Sequence, residues 1–94
     1  DQAMLPAFVR RRGDSDAGVV IVKLDRMNGT SEVFVQARAG DGSRGWVRGS
    51  GEGPVLDAEA ESYIRRQLSF DPDIWVLELE DPGELYVLDG PLIT

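Results

Sequence analysis

Apolar residues alternate or run in short stretches along most of the chain. The clearest stretch is Val19 to Asp25, where Val19 and Ile21 point one way and Val20, Val22 and Leu24 the other. Both faces are apolar, which predicts a central strand covered on both sides. Ile74 to Glu80 reads the same way, with Trp75, Leu77 and Leu79 on one face and Ile74 and Val76 on the other. Trp75 is therefore expected in the core. Glu78 and Glu80 follow Ile74 and Val76 on one face, so this strand's end is expected to reach solvent. Pro6 to Arg12 predicts a short edge strand, because Pro6 has no amide hydrogen to donate. Glu32 to Arg38 places Val33, Val35 and Ala37 on one face and Phe34 on the other. Asn28-Gly29 just before it predicts a type I′ hairpin turn, which needs left-handed backbone twice. Trp46 to Arg48 predicts a short strand and Gly49 to Pro54 a flexible linker. Asp81-Pro82-Gly83-Glu84 predicts a type II turn, followed by a final strand over Leu85 to Leu88.

One stretch has helical spacing. Ala60, Ile64 and Leu68 recur every four residues, predicting a helix from Asp57, its N-cap, to about Leu68. Glu61 and Arg65 are spaced to pair along it. The element order is β-β-β-β-α-β-β. This is an α+β fold: a mostly antiparallel sheet of five or six strands with one helix packed on one face. Such a helix is about 18 Å long and such a sheet about 25 Å wide. The second apolar face then needs another cover, either a missing N-terminal segment or a partner chain. A homo-oligomer or a protein partner is the assembly this implies.

Length and charge sharpen that expectation. The chain has 94 residues, one domain's worth, of which 41% are apolar and 29% charged. A domain this small buries only about 60–65% of the surface its unfolded chain exposes. The net charge is −7, and it is uneven: residues 1–48 carry +2 and residues 49–94 carry −9. An acidic balance argues against nucleic acid and against anionic membrane surfaces. No apolar run approaches a membrane span, and no signal peptide is visible at the start. Together with the absence of cysteine, this gives a cytoplasmic expectation.

The missing residue types restrict the chemistry. Without histidine or cysteine there is no imidazole base, no thiolate nucleophile, no disulfide, and almost no route to zinc, haem or iron–sulfur sites. Three motif matches have simpler explanations. Gly40-Asp41-Gly42-Ser43-Arg44-Gly45 spells a dinucleotide fingerprint, but a strand follows it where a helix is required. Asn28-Gly29-Thr30 is a glycosylation sequon explained by its turn. Arg12-Gly13-Asp14 sits at a strand end in a chain with no sign of secretion. Lys23, the lone lysine, is expected to be a surface charge. Trp46, in a short glycine-flanked strand, is the candidate interface residue.

Carboxylates remain. Asp14 with Asp16, Asp71 with Asp73, and Glu78 with Glu80 and Asp81 are the spacings that could hold a ligand or a divalent cation, or do acid–base work. The alternative is that they accept hydrogen bonds from their own turns. They either fix turns at the ends of the two central strands or converge on one site.

Two runs carry a resemblance. The first is Pro6-Ala7-Phe8-Val9, then Arg12-Gly13-Asp14-x-Asp16-Ala17-Gly18 and Val22-Lys23-Leu24. The second is Ile64-x-Arg66-Gln67 with Phe70-Asp71-Pro72-Asp73-Ile74-Trp75-Val76-x-Glu78-x-Glu80-Asp81. Together they resemble the alphaproteobacterial family known as domain of unknown function 1491, over nearly the whole chain. The resemblance implies no activity. It implies a longer N-terminus, a strand and a helix ahead of Pro6, so that this chain begins inside or just after that helix. The expected function is a non-enzymatic protein-binding or structural module, self-associating as a homodimer, with no cofactor or metal. The alternative is a carboxylate-based metal-dependent enzyme or a small-ligand-binding protein.

Overall fold

The computed structural model describes residues 5–93. In it the chain forms β1 (Ala7–Arg11), β2 (Val20–Asp25), β3 (Thr30–Arg38), β4 (Arg44–Arg48), β5 (Val55–Leu56), α1 (Asp57–Phe70) and β6 (Trp75–Glu80). The sheet order is β1-β6-β2-β3-β4, with β5 beside the start of β3. Strand pairs are antiparallel except β2 and β6, which run parallel at the centre. This is an α+β fold with one helix and a six-stranded sheet. The expectation that the chain opens within or just after a helix concerns residues outside those described.

The two apolar faces of β2 and β6 are both used. On one side Ile21, Val33, Ile74 and Val76 pack against Ala60 and Ile64 of α1. On the other Val22, Leu24, Phe34, Trp46 and Leu79 form a second layer. What covers that layer corrects the sequence reading. Tyr86 and Leu88, with Leu5, pack on it, so part of the cover comes from this chain's own C-terminal segment. Leu85 to Leu88 accordingly form no strand.

Asp81 explains the detour. Its side chain is fully buried and accepts the N–H groups of Leu85 at 2.8 Å and Tyr86 at 2.9 Å. Arg26 donates to its Oδ2 at 3.1 Å and to its backbone oxygen at 2.8 Å. Burial alone would push the carboxyl upward, but the two amides and the guanidinium hold it below its ordinary range. The turn is therefore built around a carboxylate, and the left-handed residue is Glu84 at φ 56° rather than Gly83. It is not the type II turn its Pro-Gly pair suggests.

Other boundaries differ for similar reasons. In the β2–β3 hairpin the left-handed residues are Met27 and Gly29, while Asn28 Oδ1 accepts from Thr30 N–H and hydroxyl. The turn is thus wider than type I′. Leu56, not Asp57, stands at the N-cap of α1 and caps nothing with its side chain. Asp57 turns instead to Ser31 Oγ at 2.8 Å. Beyond Pro91 the chain follows the outer side of β4: Trp46 N–H donates to Pro91 O and Ile93 N–H to Trp46 O.

An Asp81→Ala variant is expected to lose about 3 kcal/mol in urea unfolding, since it strands two part-buried amides and a half-paired arginine. Val87→Ala, at an 81% exposed side chain on the same segment, is expected to change stability by under about 0.5 kcal/mol. Equal losses from both would remove the anchoring role given to Asp81.

Candidate functional site

The loop before β2 and the loop before β6 meet, as convergence of the four aspartates on one site would require. Asp14 N–H donates to Asp73 O at 2.9 Å, and the Trp75 indole N–H donates to Asp14 O at 2.9 Å. Arg11 ties the same corner by donating to Pro72 O at 2.7 Å. Gly13 permits this approach, because a Cβ there would stand 2.0 Å from Asp73 O. The carboxylates, however, turn inward on their own loops. Asp14 Oδ2 accepts the N–H groups of Asp16 at 3.0 Å and Ala17 at 2.6 Å, and Asp71 Oδ1 accepts Asp73 N–H at 3.0 Å. Asp14 and Asp71 thus fix turns. The side chains of Asp16 and Asp73 have no such partner among the described residues. Nor do three or more acidic groups gather there in metal-ligand geometry, among the described residues.

The two tryptophans depart from the places expected of them. Trp46 is only 5% exposed, lies in the second apolar layer, and donates from its indole to Asp89 Oδ1 at 3.0 Å. It is core in this chain rather than a surface residue. Trp75 is half-buried over Gly13.

Lys23 is the residue the sequence reading misplaced most. It is 3% exposed, on the helix-covered face of β2. Its Nζ sits 2.6 Å from Asp57 Oδ1, 2.5 Å from Glu61 Oε2 and 3.8 Å from Glu78 Oε2. The topology accounts for each partner. Glu78 is its register partner on parallel β6, and Asp57 and Glu61 are one turn apart on α1 above it. Arg10 of β1 closes the group, donating to both Glu61 oxygens and to Glu78 at 3.0 Å. Glu61 therefore spends its charge across the fold, not on Arg65, which donates to Ser62. Glu78 is drawn under the helix instead of out to solvent.

These contacts set the titration of the cluster. Burial pulls the Lys23 amine downward, but the hydrogen bonds it donates to Asp57 and Glu61 and the charge of Glu78 outweigh it, leaving it raised. The Arg10 fork, against some desolvation and with help from Lys23, brings Glu61 down to about 2. An amine held protonated this way is a structural cation, not a nucleophile or base. The signal in the sequence was present but weak: a lone lysine between Val22 and Leu24 in the most apolar strand.

Two surface features remain. The first is a cleft of about 430 Å³ between the loop before β2 and the β3–β4 hairpin, lined among others by Asp16, Val19, Arg38 and Arg44. The second is the outer edge of β1. No described residue pairs with it, and Phe8 and Val9 on it are 51% and 54% exposed.

Acid should unlock the charge cluster. Glu61 titrates at about 2 instead of its ordinary 4.5, so its stabilisation is complete above the ordinary value and lost as pH falls through the lowered one. The urea midpoint is expected to drop between about pH 5 and pH 2, and Glu61→Gln to flatten that decline. The Lys23 share is lost only at the alkaline end, above 10.5. An acid limb unchanged by Glu61→Gln would show that this carboxylate is not linked to folding.

Comparison with known proteins places this geometry. The family model described as "Protein of unknown function (DUF1491)" matches residues 1–89. A crystal structure of a DUF1491 family protein from Caulobacter crescentus CB15 is similar, with 37% identity and a TM-score of 0.81, over 96% of this chain and 83% of that one. An NMR structure of a DUF1491 family protein from the same organism is similar at 37% identity and a TM-score of 0.79, over 97% and 82%. Protein Atu0922 from A. tumefaciens shares the fold at 23% identity and a TM-score of 0.68, over 81% and 70%. Among curated proteins nothing matches. No helix of the described residues is long and apolar enough to cross a membrane. The chain belongs to the DUF1491 family of proteins of unknown function.

Proposed function

We propose that this protein is a binding module that self-associates, two copies pairing through the outer edges of β1. The observation that carries the reading is the unequal treatment of the two sheet edges. The β4 edge is occupied by the chain itself, through the Trp46–Pro91 and Ile93–Trp46 hydrogen bonds. The β1 edge is open among the described residues and carries Phe8 and Val9 in the water. An unpaired strand edge with exposed apolar side chains is a template for another strand.

The register favours a second copy. Glu80 N–H donates to Pro6 O, so by alternation Pro6 and Phe8 face β6 while Ala7 and Val9 turn their backbone groups outward. A two-fold pairing centred on Phe8 lets Ala7 and Val9 of the two strands exchange hydrogen bonds. It sets Phe8 against Phe8 at the close, non-hydrogen-bonded site, where aromatic pairs gain about 0.5–1 kcal/mol. The strand's irregularity falls between Val9 and Arg11, beyond the Ala7–Val9 pairs that carry these hydrogen bonds. Arg10, held by Glu61 and Glu78, lies just past those pairs and is already neutralised. Lysine at an edge position is a common block to such pairing.

Sedimentation equilibrium at about 100 µM is expected to show a monomer–dimer equilibrium, with an interface this small giving Kd in the micromolar range or weaker. Val9→Lys is expected to weaken dimerisation at least about tenfold with the thermal midpoint of the monomer unchanged. A wild-type chain that stays monomeric, or a Val9→Lys dimer of full strength, would sink the reading.

A further inference from the structure

The cleft beside β3 has a cause in the sheet. Strand β2 begins at Val20, and its pairing with β3 starts at Ile21 and Val35. Ahead of that point the chain turns away toward β6, where Val19 O accepts Trp75 N–H and Asp14 N–H reaches Asp73 O. β3 nevertheless continues to Arg38, held on its other side by β4. The two strands splay, and the opening between them is the cleft of about 430 Å³.

Its walls carry opposite charges. Arg38 and Arg44 are register partners across the β3–β4 pair. The Ala39 N–H to Ser43 O and Gly49 N–H to Val33 O bonds fix the alternation, which makes the Arg38–Arg44 site non-hydrogen-bonded, the kind where side chains come closest. Like charges directly opposite are unfavourable there. Neither guanidinium forms an ion pair among the described residues, although the chain is acidic overall. Arg38 spends one N–H on Gly42 O at 3.0 Å, and Asp41 is engaged by Ser43 in the loop beyond. By the same alternation the Arg38 backbone N–H points toward the splay, where no described residue accepts it. On the opposite wall stands Asp16, whose carboxylate has no hydrogen bond or ion pair among the described residues. Between them the lining is small and mostly apolar, Ala17, Gly18, Val19 and Ala37, with Gln36 the one polar uncharged side chain.

We propose that this cleft binds a small aliphatic amino acid zwitterion, its carboxylate on Arg38 and Arg44 and its ammonium on Asp16. Two arginines on register-paired positions of one wall and a backbone N–H without a described partner are matched to one carboxylate, which can take bidentate bonds from arginine. A plain anion would meet Asp16 as a like charge, and a plain amine would meet the arginine pair. Only a molecule carrying both signs is favoured by both walls, and the apolar lining suits a short aliphatic body. This site is separate from the β1 edge and does not depend on self-association.

The test is an amide NMR titration of the full chain with two zwitterions, L-valine with adjacent charges and δ-aminovalerate with separated ones. Isovalerate supplies the anion alone and L-valine methyl ester the cation alone. The expected result is saturable shifts at Gly18, Val19, Ala37 and Arg38 with at least one zwitterion, Kd in the millimolar range. Isovalerate and the ester are expected at least about tenfold weaker. All three charged side chains are exposed, so Arg44→Gln, Arg38→Gln and Asp16→Asn keep the native spectrum and each weaken the zwitterion about tenfold. Asp16→Asn should also erase the preference for the zwitterion over isovalerate. The proposal is overturned if neither zwitterion saturates, if isovalerate binds as well, or if the variants bind like the parent chain.

Discussion

A sheet with two apolar faces and a single helix cannot be stable in water until its second face is covered, and in this chain the buried Asp81 organises much of that cover. Its carboxylate is shut away from solvent, where an unpaired charge is prohibitive. The Leu85 and Tyr86 amides and the Arg26 guanidinium satisfy it together. The same bonds turn the chain back, so that Tyr86 and Leu88 reach the second apolar layer and residues 91–93 reach β4. One buried anion thus links a turn, a core layer and a sheet edge.

Charge asymmetry along the chain has a structural use as well. The cations of the first half meet the anions of the second across the fold: Arg10 with Glu61 and Glu78, Lys23 with Asp57 and Glu61, Arg26 with Asp81. These pairs are poor evidence of net stability, because desolvation offsets much of their attraction. They do fix specificity of arrangement. The Lys23 cluster sets which turn of α1 lies over β2 and β6, since a register slip would leave the lysine buried without carboxylates.

What is left open on the surface then follows from what the tail and the cluster close. The β4 edge is taken, so among the described residues the free edge is β1, which is the basis for the self-association we propose. The splay between β2 and β3 is a by-product of the loop before β2 bonding to β6. It leaves Arg38, Arg44 and Asp16 around one opening with their charges uncompensated by one another.

The sequence by itself determined the local elements. Alternation at Val19–Asp25 and Ile74–Glu80 identified the two central strands, their two-sided burial, and the layer to which each apolar side chain goes. Four-residue spacing located α1, and the resemblance of Arg12–Gly18 and Phe70–Asp81 identified the family. Turn chemistry at Asp14 and Asp71 was legible too, because an aspartate bonds to amides two or three residues away. Only the tertiary structure decided the rest: that Lys23 is buried, that Glu61 leaves Arg65 for Arg10, that Trp46 is core, and that Leu85–Leu88 covers a face instead of adding a strand. Periodicity reports which side of an element is apolar. It carries no information about which distant charge stands opposite: Lys23, Glu61 and Trp46 were placed by partners 26 to 68 residues away, and the Asp81 carboxylate that turns Leu85–Leu88 is itself held by Arg26, 55 residues away.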